Sequence, residues 1–151
     1  MTTPIAEAPA VTHSVGFRLS RAARALRAQW RDELADLDVA PPEAAILRLV
    51  AASPGAALRE LARTLGSDPM STKRCVDALE ARGLLVSDRR GEGRSRGLHA
   101  TVAGARLVAE IERRAHAREE WLAASLGARA ADELRRALDL LEQSLTPSPR
   151  S

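Results

Sequence analysis

Six basic side chains lie close together in the sequence. Lys73, the only lysine of the chain, is followed by Arg74. Arg89, Arg90, Arg94 and Arg96 then come in a run that also holds Gly91, Gly93 and Gly97. Guanidinium and ammonium groups donate to phosphate oxygens, and in a major groove to the acceptors on guanine. Ser71 adds a hydroxyl two residues before the lysine. The chemistry these residues offer is polyanion recognition.

Bond-making chemistry has less to draw on. An enzyme needs a nucleophile beside a base, paired carboxylates or a metal set. Cys75 is the single cysteine and has no histidine near it in sequence. It falls on an apolar helical stripe, where thiols are inert. One cysteine excludes an internal disulfide, and the three scattered histidines give no metal-ligand spacing. The glycines at 91, 93 and 97 belong to a hairpin pattern, not to a strand–loop–helix phosphate cradle. No catalytic residue, metal or cofactor is expected. If Cys75 were reactive, its oxidation would disturb the helix that carries Lys73.

The elements that position the basic residues have local signatures. Leu58 to Leu65 reads as a short helix, and Gly66-Ser67 as a tight turn. Asp68 to Arg82 reads as a second helix, with Asp68 as cap, Pro69 at the first helical position and Gly83 as the left-handed stop. Thr72, Cys75, Val76 and Leu79 form its inward stripe; Ser71, Lys73, Arg74 and Asp77 fall on other faces. Leu84 to His99 reads as two short strands around the Gly- and Arg-rich tip. This is the pattern of a helix-turn-helix followed by a wing, in which the second helix enters a major groove and wing arginines enter the minor groove. The alternatives are a helix face that is merely solvated and a disordered basic loop.

The run Glu60-Leu61-Ala62-Arg63-Thr64-Leu65-Gly66, then Val76-Asp77-Ala78-Leu79-Glu80-Ala81-Arg82-Gly83-Leu84, then Thr101-Val102-Ala103-Gly104, resembles the multiple-antibiotic-resistance regulator (MarR) family over roughly residues 15 to 145. The family's wing carries Asp-x-Arg before Leu-Thr. The matching residues here are Glu92-Gly93-Arg94 and Ala100-Thr101, which makes Arg94 the counterpart of the wing-tip arginine. Glu92 replaces Asp, Ala100 replaces Leu, and Cys75 stands where an aliphatic residue is usual. The resemblance implies a regulator of transcription in the bacterial cytoplasm, most often a repressor. It also implies release by a small aromatic or phenolic effector bound between the dimer helices and the winged domain, with Arg27, Trp30 and His116 as pocket residues. For Trp30 and His116 the residues alone favour core packing and a surface position, respectively.

The length of 151 residues suits one domain with long accessory helices. The net charge is only +3, but the basic charge gathers in residues 70 to 99. Aromatics are 2% of the chain, which disfavours stacking on single-stranded bases. No run is long and apolar enough to span a membrane, and the N-terminus lacks the basic region of a secretory signal.

The expected organisation is mainly α with a small β-hairpin wing. Residues 1–13 form a flexible arm, 14–37 and 102–145 long dimerisation helices, 38–101 the winged helix-turn-helix, and 146–151 a tail. Leu19, Ala23, Leu26, Trp30, Leu34 and Leu37 give the first long helix its stripe; Leu107 and Ile111, then Leu134, Leu138, Leu141 and Leu145, do so for the last two. These faces exceed what a small winged domain covers, so a homodimer is expected, or else a monomer with its terminal helices folded back. A dimer would read a palindromic operator in double-stranded DNA, with half-sites roughly 34–36 Å apart. The reading from another functional class is a winged-helix protein–protein interaction module with an acidic partner.

Overall fold

The computed structural model describes residues 9–88 and 96–145. Pro9–His13 (α1) is a short helix and Val15–Leu34 (α2) a long one, with Ser14 between them. The Ser14 hydroxyl accepts from the Phe17 N–H at 3.4 Å and donates to the Val11 carbonyl at 2.9 Å. One side chain therefore caps α2 and closes α1. The described part of the expected loose arm is thus helical, since a proline in first position leaves no N–H unsatisfied and Ser14 closes the last turn. The expected helix to Leu37 ends at Leu34 and tightens into a 3₁₀ turn over Ala35–Leu37, closed by Asp38 at φ 52°.

Pro41–Ala52 (α3) and Leu58–Leu65 (α4) start alike. Neither Ala40 nor Ala57 has a capping side chain. In each case a glutamate three residues on reaches back: Glu43 Oε2 accepts from the Ala40 N–H at 2.9 Å, and Glu60 Oε2 from the Ala57 N–H at 3.0 Å. Gly66, at φ 58°, ends α4, and Pro69–Ala81 (α5) follows. Gly83, at φ 69°, ends α5 while the Leu84 N–H donates back to the Leu79 carbonyl at 2.9 Å.

Leu85–Ser87 (β1) and Leu98–Ala100 (β2) pair antiparallel, with Val86 opposite His99. A third segment joins them. Ala56 bridges Leu98 from the other side: the Gly55 N–H donates to the Leu98 carbonyl at 2.8 Å and the Leu98 N–H to the Ala56 carbonyl at 3.0 Å. The corner between α3 and α4 is therefore part of the small sheet.

Val102–Leu126 (α6) and Ala128–Leu145 (α7) are separated by Gly127 at φ 81°. Thr101 starts α6 by accepting from the Gly104 N–H at 3.0 Å, and its hydroxyl donates to the Gly83 carbonyl at 2.6 Å. Gly104 has no room for a side chain, since a Cβ there would lie 2.0 Å from the Leu84 carbonyl oxygen.

The chain divides into two compact units, one ending at Ile111 and the other beginning at Glu112. The first holds the core, in which Leu34, Ile46, Leu47, Val50, Leu79 and Ile111 are fully buried and Leu61, Val76, Leu85 and Leu98 nearly so. In the second, Arg135 of α7 reaches Glu119 of α6 at 3.7 Å, and Leu138 and Leu141 are half-buried. Among the described residues no helix is long and apolar enough to cross a membrane.

Candidate nucleic-acid interface

Helix α5 is held from one side only. Thr72, Val76 and Leu79 are buried, and Cys75 packs half-buried against the same core. The Thr72 hydroxyl donates to the Asp68 carbonyl at 3.0 Å and lies 2.8 Å from the Ser67 hydroxyl, which satisfies the buried polar atom. Met70, Lys73, Arg74 and Asp77 recur at helical spacing and are all exposed, as is Ser71. The start of α5 is fixed by Asp68, whose carboxylate accepts from the N–H groups of Met70 at 3.1 Å and Ser71 at 2.9 Å. The Ser71 hydroxyl, then the backbone N–H groups of Ser71 and Met70, and last the charge of Arg74, hold the Asp68 carboxyl below its ordinary value.

The other end of α5 is braced by charge. Arg82 lies 3.7 Å from Glu43 at the start of α3 and 3.8 Å from Asp38. Glu43 thus serves both the cap of α3 and the end of α5. Local spacing gave no sign of this brace.

A groove of about 310 Å³ runs between α5, the start of α4 and the sheet. Arg59, Lys73 and Arg96 line it, together with Asp77 and Glu80. Lys73 Nζ pairs with Asp77 Oδ2 at 2.6 Å, both side chains being 54% exposed. Arg59 is the residue that sequence reasoning missed; it stands one residue into α4, apart in sequence from the basic cluster it joins in space. Of the wing arginines, Arg96 is exposed at the sheet end of this groove, whereas Arg89, Arg90 and Arg94 lie outside the described residues. The base of the two strands is pinned by His99 Nε2, 2.8 Å from Asp88 Oδ2, with the ring against Gly55. His99 is therefore a half-buried partner in the wing base.

Of the three residues expected to line an effector pocket, Arg27 and Trp30 belong to the first unit and His116 to the second. Arg27 lines a cavity of about 440 Å³ with Pro41, Ile46, Leu65, Ser71 and Cys75. Trp30 packs half-buried against the core beside α3. His116 belongs to the second unit, where it is exposed and lies 3.4 Å from Glu120. At Cys75, burial first and then the negative charge of Glu43 push the thiol pKa up, which keeps it in its unreactive protonated form.

The arrangement is a capped helix with a cationic outer face, a basic groove beside it and a braced hairpin. It can donate hydrogen bonds to a groove edge and to phosphates on either side of it. A family profile described as the IclR helix-turn-helix domain matches residues 44–89. No curated protein matches the chain. Among solved structures, the transcriptional repressor CouR bound to a 23-mer DNA duplex is 29% identical. It has a TM-score of 0.80, with 87% of this chain and 94% of that chain covered. A MarR family protein of Mycobacterium tuberculosis in complex with salicylic acid is also 29% identical, with a TM-score of 0.67 and coverages of 85% and 96%. The MepR–DNA complex of S. aureus, at 15% identity, a TM-score of 0.79 and coverages of 88% and 97%, shares the fold.

Proposed function

We propose, starting from a chain that belongs to the MarR family of winged helix-turn-helix regulators, that it is a sequence-specific double-stranded DNA-binding regulator of transcription. The observation that carries this is the outer face of α5. Its Lys73 and Arg74 stand exposed while the opposite face is locked into the core, and Arg59 and Arg96 flank the adjoining groove. Ser71, Lys73 and Arg74 face base edges and phosphates in the major groove. Arg96, with Arg89, Arg90 and Arg94, follows the backbone into the adjacent minor groove. The protein acts as a repressor in the cytoplasm, by binding and not by catalysis.

It works as a homodimer. In the single chain Val15 is 78% exposed on α2, and Leu140 and Leu145 are 66% and 72% exposed on α7. Apolar surface of this kind favours a partner, and two α5 helices about one turn of duplex apart would read a palindrome. The cavity beside Arg27 takes a small aromatic acid. Its walls are mostly apolar, Arg27 supplies a cation for a carboxylate, and a MarR family relative binds salicylic acid. Such an effector releases DNA only if it binds the DNA-free arrangement more tightly than the DNA-bound one.

Salt titration of duplex binding tests the proposal. Affinity should fall steeply with salt, by a slope of about −0.9 per phosphate contact, and Lys73→Ala or Arg74→Ala should flatten it by about one contact or cost roughly 1–3 kcal/mol at one base position. Absence of duplex binding in dilute buffer would overturn it and leave an acidic protein partner as the reading to pursue.

A further inference from the structure

Met70 is the second residue of α5 and is 61% exposed. It heads the stripe that continues through Lys73, Arg74 and Asp77, and it is the apolar member of the four. The helix end around it does not offer a phosphate site. A bare helix start binds anions through its free N–H groups. Here the N–H groups of Met70 and Ser71 already donate to Asp68, whose carboxylate places a negative charge at that end. The first turn therefore meets a duplex with side chains, not with backbone amides.

In helix-turn-helix docking, residues at the start of the second helix contact base edges. Of the groups displayed in the major groove, the thymine methyl is the apolar one. A thioether side chain is flexible enough to fit over it. Lys73 and Arg74, one turn further along, suit guanine acceptors or phosphate but not a methyl group. We infer that Met70 is a specificity-determining residue that packs on the C5-methyl of a thymine, fixing a T·A pair beside the position met by Arg74. This rests on the duplex-binding reading above.

The test uses the full chain and the tightest duplex it selects from a random pool. Each thymine is replaced in turn by deoxyuridine, which removes the methyl and leaves every hydrogen-bonding group. One symmetry-related position in each half-site should lose about fourfold in affinity per methyl, the effect of one buried carbon group. Met70→Ala should bind the thymine and deoxyuridine duplexes equally, whereas Met70→Leu should keep the preference. The salt dependence should be the same in all three proteins, since no phosphate contact is lost. Wild-type protein indifferent to every replacement, or a methyl preference that survives Met70→Ala, would overturn the inference while leaving duplex binding intact. Failure of the wild type to hold any duplex would overturn the regulator reading and this inference together.

Discussion

Gly104→Ala tests the packing that sets the wing against the long helix α6. Helix propensity by itself favours alanine over glycine by about 1 kcal/mol in a helix interior. The structure predicts the opposite sign. A Cβ at residue 104 would lie 2.0 Å from the Leu84 carbonyl oxygen and 3.0 Å from its carbonyl carbon, and both are backbone atoms. A carbon–oxygen contact settles at about 3.3 Å, so the start of α6 has to retreat by roughly 1.3 Å. That movement pulls on the bonds that Thr101 makes across the same joint, from its N–H to Leu84 at 3.1 Å and from its hydroxyl to Gly83 at 2.6 Å. Overpacking costs about 1–3 kcal/mol and each weakened hydrogen bond about 1 kcal/mol. After the propensity gain, a net loss of about 2–4 kcal/mol remains, which lowers Tm by about 4–16 °C for a chain of this length. Thermal and urea unfolding at matched chain concentration measure it, because association raises Tm with concentration. A variant as stable as the parent, or more so, would refute the reasoning.

Three further outcomes are expected. Asp77→Asn frees Lys73 and removes a negative charge from the groove, so binding to random duplex at low salt should tighten severalfold and discrimination should shrink; unchanged affinities would show that the pair has no hold on binding. The carboxyl of Asp68 titrates below its ordinary value of 3.8 when folded, so its contribution to stability is full above that pH and is lost as pH falls through the lower folded value. Asp68→Asn should therefore flatten the acid limb of the stability curve, and an unaltered limb would contradict the capping role. A thiol-selective oxidant such as diamide at neutral pH should leave duplex binding unchanged in both the wild type and Cys75→Ser, because the half-buried thiol stays protonated; a loss seen in the wild type alone would point to a redox-sensing regulator.

The recognition unit was legible because its signals are local. Asp68, Pro69, Gly66 and Gly83 act within a few residues of themselves, and the spacing of Thr72, Val76 and Leu79 reports the buried face directly. The features that escaped are those whose partners lie far along the chain. Ala56 meets Leu98 in the sheet, Arg82 finds Glu43, and Arg59 joins Lys73 across two helices. Nothing in a single stretch marks such pairs. The helix at Pro9–His13 escaped for a different reason, since its closing bond comes from a serine already assigned to the following helix. The Lys73–Asp77 pair had the right spacing, but an i,i+4 contact on an exposed face is visible only once both side chains are placed.

Leu98 has neighbours on both flanks, Ser87 on one and Ala56 on the other. Misalignment by a single position would turn its side chain outward and His99 inward, and two separate ladders would have to fail at once for that to happen. The hairpin's stem is thus checked twice, by its own return strand and by a corner of the chain folded more than one helix earlier. Substitutions elsewhere in the wing therefore leave the alignment of this stem to be set by its own two ladders.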